Sequence, residues 1–367
     1  MGGGVETAFT ALVSGLAGLH DVEPHVITFV PGLDEPERKD VAGVPVHYLP
    51  GTNRLGSTTL HLRERRSLAR ALVSLRPDLV HGQETARYGY VCLKNERFAP
   101  VVLNVHGIVR QEVKYATGIA GLRLRTAGIL LERYCIRHGR YFVQSTPYPE
   151  HVFGAETRGR FVDIRNPIEE RFFSLGHTPE PGRIVYSGAL IPRKRLLDLI
   201  EALSRVAAAV HNAHLHVAGG EPDAAYSAVV RARVRELGLE GRVIFLGPLS
   251  PEEMRDEYRH ANVFVLASGQ ETSPLAIGEA MAVGLPVVAA NAGGVPFLVE
   301  EGVTGHVVEV GDVDGLARGI AEVLARPDRG IALGAAARKR AERDFRPPVV
   351  AARMRAFYEE VLSETQP

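Results

Sequence analysis

Short runs rich in Val, Ile, Leu and Phe alternate with amphipathic stretches of helical length along the chain. That alternation constrains the fold more than any other feature. Val5 to Leu19 reads as a helix and Pro24 to Val30 as a strand. Val44 to Leu49, Asp78 to His81, Val101 to Val105 and Tyr141 to Val143 read as further strands, with Arg-rich helices over Leu60 to Leu75 and Ala120 to His138. Between Asn166 and Gly182 the pattern loosens into Asn-Pro, Thr-Pro and Pro-Gly, the composition of a linker. The alternation then restarts. Strands are expected over Arg183 to Ser187, His214 to Ala218, Val243 to Leu246, Val263 to Leu266 and Pro286 to Ala290. Helices are expected over Leu196 to Val210, Tyr226 to Leu237, Pro251 to Arg259, Ser273 to Val283 and Pro347 to Ser363. Strand–helix alternation of this kind predicts an α/β protein, with parallel sheets covered by helices on both faces.

A chain of 367 residues is too long for one ordinary core. Two doubly wound halves are expected, residues 1–170 and 171–346, facing a cleft, with ligands at the carboxyl ends of the strands. The formal net charge is zero, so nothing global points to nucleic acid. The two cysteines, Cys92 and Cys135, lie in apolar stretches and read as buried reduced thiols, which favours the cytosol. No Cys/His cluster has metal-ligand spacing, so no metal is expected. No apolar run approaches the roughly 18 residues of a membrane span. The opening Met1-Gly2-Gly3-Gly4 has neither the basic nor the apolar part of a signal peptide. No GxGxxG with a following acidic residue marks a nicotinamide dinucleotide site, which argues against an oxidoreductase.

The richest segment runs from Ser268 to Ala282. Ser273 is expected to cap a helix with Pro274 at its first position, followed by Leu275. Glu271 then precedes the helix, and Glu279 lies on it about one and a half turns in, roughly 8 Å along the axis. The helix start offers free N–H groups and a positive dipole end, suited to a diphosphate. Carboxylates on either side could take hydroxyls flanking those phosphates, the layout of a nucleotide-sugar. Upstream, Gly188 follows a strand and precedes Arg193, Lys194 and Arg195, a second place for anionic phosphate. Gly247, after a later strand, could let a base approach the backbone.

The block from Glu271 to Glu279, with seven residues between the two, and the following Ala280 to Ala289 resemble glycosyltransferase family 4, the retaining family with the GT-B fold. Segments similar to that family occur in its order: Gly2 to Glu6, Arg76 to His81, Val105-His106-Gly107, Asn166-Pro167, Pro192 to Lys194 and Gly293 to Pro296. The resemblance implies a hexosyltransferase that moves a sugar from a nucleotide-diphosphate-sugar to a glycan, lipid or small-molecule acceptor, with no cofactor and no metal. It implies a role in cell-envelope polysaccharide or glycolipid synthesis in the cytoplasm. Glu271 would contact the transferred sugar, Glu279 the ribose, Lys194 the diphosphate, and backbone near Ser273 to Leu275 the phosphates or sugar. His106 would face the donor sugar, and Gly3 and Gly4 would permit close approach of their loop. The last helix, within 347–367, would pack back on the first half.

Three departures stand out. Ala189 occupies a position where the family usually has Arg, a gap that Arg193 or Arg195 would have to fill. Phe297 replaces a frequent Glu. The family's first strand normally precedes the Gly-rich loop with which this chain opens, so a misassigned start is expected. Ala189 and the short amino terminus keep a non-catalytic nucleotide-sugar-binding protein of the same fold as the alternative. The Arg-rich helices of the first half read equally as solvated faces or as peripheral contacts with anionic lipid at the inner membrane face.

Overall fold

The computed structural model describes residues 4–52, 59–115, 121, 124–174 and 176–365. The chain forms two compact units. One is Met1–Asn166 together with Pro347–Pro367, the other is Pro167–Arg346. The division falls at Asn166, earlier than the expected boundary after residue 170.

The first unit opens with helix α1 (Gly4–Ala17), strand β1 (Val26–Pro31), β2 (Glu37–Val41) and β3 (Val44–Gly51). There follow α2 (Leu62–Leu75), β4 (Val80–Gly82), α3 (Arg87–Leu93), β5 (Val101–Val105) and α4 (Val109–Glu112). The half ends with α5 (Ile129–His138), β6 (Tyr141–Gln144), α6 (Tyr148–Phe153) and β7 (Arg160–Asp163). Its strands make two sheets, ordered β1-β3-β2 and β4-β5-β6-β7. All pairings are parallel except that of β2 with β3. Among the described residues no strand joins the two sheets, so β1 and β4 are edges. Ile27 and Phe29 of β1 and Val80 of β4 border one small apolar cluster around Leu68, Leu72 and Val91.

Strand β2 escapes a reading based on hydrophobic pattern because every residue of Glu-Arg-Lys-Asp-Val is exposed. Its turn explains it. Ala42 and Gly43 both have positive φ, 52° and 80°, the backbone of a tight hairpin. The helix expected from Ala120 is regular only from Ile129. A wider turn over Leu124–Gly128 precedes it, and a Cβ at Gly128 would press on Leu124 and Val109 at 3.1 Å.

The second unit contains β8 (Arg183–Ser187), α7 (Leu196–Ala209), β9 (His214–Ala218), α8 (Ala224–Glu236) and β10 (Val243–Gly247). It continues through α9 (Pro251–His260), β11 (Val263–Leu266), α10 (Leu275–Val283) and β12 (Val287–Ala290). It closes with β13 (Gly305–Val308), α11 (Val313–Ala325) and α12 (Pro327–Asp344). One parallel sheet has the order β10-β9-β8-β11-β12-β13. The order runs outward in both directions from β8 and β11, so the topological switch point lies between those two strands. α9 begins on the expected Ser250, here with a full capping box to Glu253.

The stretch expected to be a linker is packed instead. Phe172 and Phe173 are buried in the second unit's core. The N–H groups of Thr178 and Glu180 donate to Arg259 and His260 carbonyls. Two large aromatic side chains supply the burial that the Pro and Gly content conceals.

The final helix, α13 (Pro347–Thr365), belongs to the first unit. Its Val350, Ala351, Met354, Phe357 and Val361 share a core with Leu12, Leu16, Val102 and Val143. Gly15 of α1 is the close-approach point. A Cβ there would lie 2.9 Å from the Pro347 carbonyl oxygen.

Candidate active site

The switch point of the second unit gathers most of the residues singled out in the sequence. The loop leaving β8 carries Gly188, Arg193, Lys194 and Arg195. The loop leaving β11 carries Glu271, Ser273 and Pro274, and runs into α10 with Leu275 and Glu279. Three glycine turns continue the sheet's hydrogen bonding beyond its strands. Gly188 donates to the Ala218 carbonyl at 3.0 Å, Gly219 to Gly247 at 2.8 Å, and Leu190 to Gly220 at 2.9 Å. A Cβ on Gly188 would crowd the Tyr186 hydroxyl at 3.0 Å, while meeting the Lys194 side chain only at an ordinary 3.6 Å.

Lys194 Nζ lies 2.5 Å from Glu271 Oε1, and Arg193 Nη1 lies 3.7 Å from Oε2. The two loops are also stitched by backbone. Gly269 donates to the Arg193 carbonyl at 2.8 Å, and Arg193 Nη1 to the Gln270 carbonyl at 2.7 Å. Glu271 is only 6 % exposed. Burial by itself raises its carboxyl, but the charges of Lys194 and Arg193, with the hydrogen bond from Lys194, outweigh that and hold it below the usual carboxylate range. Arg195 turns elsewhere. Its Nε donates to Asp198 at 2.8 Å, and its guanidinium lies against Gly311. Of the two arginines that could stand in for the one missing at Ala189, Arg193 is therefore the one beside Glu271.

α10 starts later than the sequence suggests. Ser273 does not cap it. Pro274 holds the cap position with extended dihedrals (φ −69°, ψ 115°), and no side chain caps the helix. With Pro274 extended, helical geometry begins only at Leu275, one residue beyond where a serine cap would place it. Glu279 is thus about one turn in, roughly 6 Å along the axis. The uncapped start leaves its first N–H groups directed out of the helix, where an anion can take them.

Glu279 Oε2 accepts a hydrogen bond at 3.2 Å from Tyr258, a fully buried side chain on α9. Burial is the main influence on Glu279. The Tyr258 hydroxyl offsets part of it, Glu169 adds repulsion, and the carboxyl is pushed up to about 7. Neither Tyr258 nor Glu169 stands out in the sequence. A tyrosine on an amphipathic helix reads as core, and Glu169 lies in the segment that looks like a linker.

The remaining sequence candidates belong to the first unit. Gly3 lies outside the described residues, and Gly4 is the first residue of α1. His106 stands at the carboxyl end of β5, and its Nε2 is 3.0 Å from Gln83 Oε1, just beyond β4. The amide oxygen accepts from Nε2–H, which leaves Nδ1 as an acceptor. Burial pushes the imidazole down to about 4, so it is neutral at neutral pH. The backbone after it is held by buried Glu132 on α5, which accepts from the Val109 N–H at 2.5 Å and from Arg110 Nε at 2.9 Å. Gln83 and Glu132 were invisible to motif reading. Gln83 is brought to His106 by the parallel pairing of β4 with β5.

Comparisons with known proteins bear on the family and the fold. Residues 167–340 match the family described as glycosyl transferases group 1, and residues 3–149 match the glycosyl transferase 4-like domain. A GDP-mannose-dependent alpha-(1-6)-phosphatidylinositol monomannoside mannosyltransferase of Mycobacterium tuberculosis H37Rv is 33% identical over 192 residues, 50% of this chain and 48% of that protein. A D-inositol 3-phosphate glycosyltransferase of Mycobacterium sp. KMS is 36% identical over 155 residues, 42% of this chain and 34% of that protein. The chain thus matches about half or less of the length of these curated relatives. Among solved structures, sucrose-phosphate synthase from Thermosynechococcus elongatus superposes with a TM-score of 0.82 at 22% identity, covering 99% of this chain and 94% of that one. Anabaena Alr3699/HepE in complex with UDP-glucose gives a TM-score of 0.74 at 20% identity, covering 99% and 97%. The two matched domains, in this order and each on its own α/β unit, make the chain a member of the GT-B glycosyltransferases of the group 1, family-4-like kind.

Proposed function

We propose that the chain is a retaining glycosyltransferase that moves a sugar from a nucleoside-diphosphate-sugar to a hydroxyl of a glycan, lipid or small molecule. The observation that carries this reading is the switch-point constellation. Glu271 and Glu279 flank an uncapped helix start, with Lys194 and Arg193 beside it. The helix start and the two cations suit the diphosphate. Glu279 suits the ribose, and Glu271 the transferred sugar. His106, neutral with Nδ1 as acceptor, suits a sugar hydroxyl. Lys194, Arg193 and the helix start are assigned the charge of the departing phosphate, without a resident metal or cofactor.

In the proposed step the bond from the anomeric carbon to the phosphate oxygen breaks, and the acceptor oxygen bonds to the same face of that carbon. The acceptor's proton passes to the departing phosphate oxygen. The Glu271 and Glu279 carboxylates act as hydrogen-bond acceptors, not as the acid/base pair of a glycoside hydrolase.

The reaction is placed in the cytoplasm, in keeping with free cysteines Cys92 and Cys135. No described helix is long and apolar enough to cross a membrane. A peripheral contact is proposed through the outer face of α2, where exposed Leu62, Arg63, Arg66, Arg70 and Val73 share one side. Ala189 favours a second reading, a protein that binds nucleotide-sugars without transferring them.

One experiment separates these readings. A panel of nucleotide-sugars is screened by thermal shift, and each stabilising donor is assayed for hydrolysis or transfer. The expected result is stabilisation by one nucleotide family, with turnover that falls at least about a hundredfold in Glu271→Ala. Stabilisation without turnover selects the binding protein. No stabilisation and no turnover removes both.

A further inference from the structure

Lys194 and Glu271 are assigned to different parts of the donor, yet in this structure they hold each other, at 2.5 Å. A lysine ammonium is one compact charge. It cannot fully satisfy Glu271 and a diphosphate together. We propose that the Lys194–Glu271 ion pair is a latch opened by the donor's diphosphate: the phosphate takes Lys194, and the released carboxylate becomes the acceptor for the sugar hydroxyls. The proposal rests on the reading of this site as a nucleotide-sugar site and adds a dependence of its sugar half on its phosphate half.

The surroundings confine the change to side chains. The loops carrying the two residues stay joined through the Gly269-to-Arg193 and Arg193-to-Gln270 hydrogen bonds. The Glu271 carbonyl is held by the Gly294 N–H at 2.9 Å. Glu271 is almost fully buried, and a buried carboxylate that loses the nearer of its two cations, with Arg193 left at 3.7 Å, is costly unless new donors replace it. An intact nucleotide-sugar supplies those donors as sugar hydroxyls. A bare nucleoside diphosphate takes Lys194 and offers Glu271 nothing. After transfer, therefore, Glu271 recaptures Lys194 and helps to expel the product. The latch disfavours the product relative to the donor.

The test is a double-mutant cycle on the full chain, titrating UDP, GDP and ADP by calorimetry. Wild type, E271Q, K194Q and the double variant are compared, with circular dichroism to confirm folding. The expected result is that E271Q binds its nucleoside diphosphate roughly tenfold tighter, in the range of coupled charged neighbours. K194Q binds more weakly, and E271Q adds little in the K194Q background. Should E271Q fold poorly, Glu271→Asp, which lengthens the pair, is expected to give a smaller gain of the same sign. A gain undiminished in the K194Q background would mean simple charge removal and overturn the latch, as would unchanged or weaker binding by E271Q. Failure of every folded variant to bind any of the three nucleotides would instead overturn the nucleotide-sugar reading itself.

Discussion

At Glu279, burial and the nearby Glu169 oppose ionisation and push the carboxyl from 4.5 to about 7. Ribose hydroxyls donating to it favour the ionised form, so donor binding releases a proton below that pH and tightens as pH rises. Donor KM is expected to be about tenfold higher at pH 6 than at pH 8, and Glu279→Gln to flatten the profile. A profile equally steep in Glu279→Gln would assign the titration to another group. The stability linkage has its own sign. The folded carboxyl titrates higher than the unfolded one, so its favourable contribution is complete below about pH 4.5 and is lost as pH rises through about 7. Glu271 has the opposite character, since its cationic neighbours hold it ionised. Before the donor binds, Glu271 is thus ionised near neutrality while Glu279, one motif away, is still titrating. Their spacing is plain in the sequence. The difference is not, because it comes from Tyr258, Glu169 and Lys194, which reach the site from other elements.

Among the elements, the loops after β8, β9 and β10 act as one surface. Gly219 is the tightest point. Its φ is +146°, and a Cβ there would lie 2.0 Å from the Gly188 carbonyl oxygen. Gly219→Ala should therefore push the Gly188 loop away from the sheet and carry Lys194 with it. The expected cost is about 2 kcal/mol or more by thermal or denaturant unfolding, with a raised donor KM. An alanine variant with unchanged stability and KM would remove this account of the loops.

Much at this scale was readable in advance. The strands β5, β8, β9 and β11 stand where the apolar runs place them, because buried parallel strands are predominantly apolar. Elements that failed the reading did so for local reasons. Strand β2 is set by its Ala42-Gly43 turn, not by burial. The start of α10 is set by the backbone of Pro274, not by the hydroxyl of Ser273. The segment 167–182 is packed by Phe172 and Phe173 despite a linker's composition.

For the whole molecule, the lipid contact proposed for α2 gives a measurable outcome. Each Arg near an anionic surface contributes about 1 kcal/mol. Replacing exposed Arg66 and Arg70 together by Gln should weaken co-sedimentation with vesicles containing phosphatidylglycerol by about thirtyfold, with little change on phosphatidylcholine alone. Binding of the full chain that is independent of anionic lipid would remove the contact. The division of the chain has a further consequence, for its synthesis. The first unit is built from both ends of the sequence, and the second lies between them. Emerging from the ribosome, residues 167–346 hold everything their own core needs. The earlier segment must wait, with Leu12, Leu16 and Val102 uncovered, until Met354, Phe357 and Val361 arrive last. The half made first is therefore the half finished last, and its waiting apolar surface is what a chaperone would meet on the nascent chain.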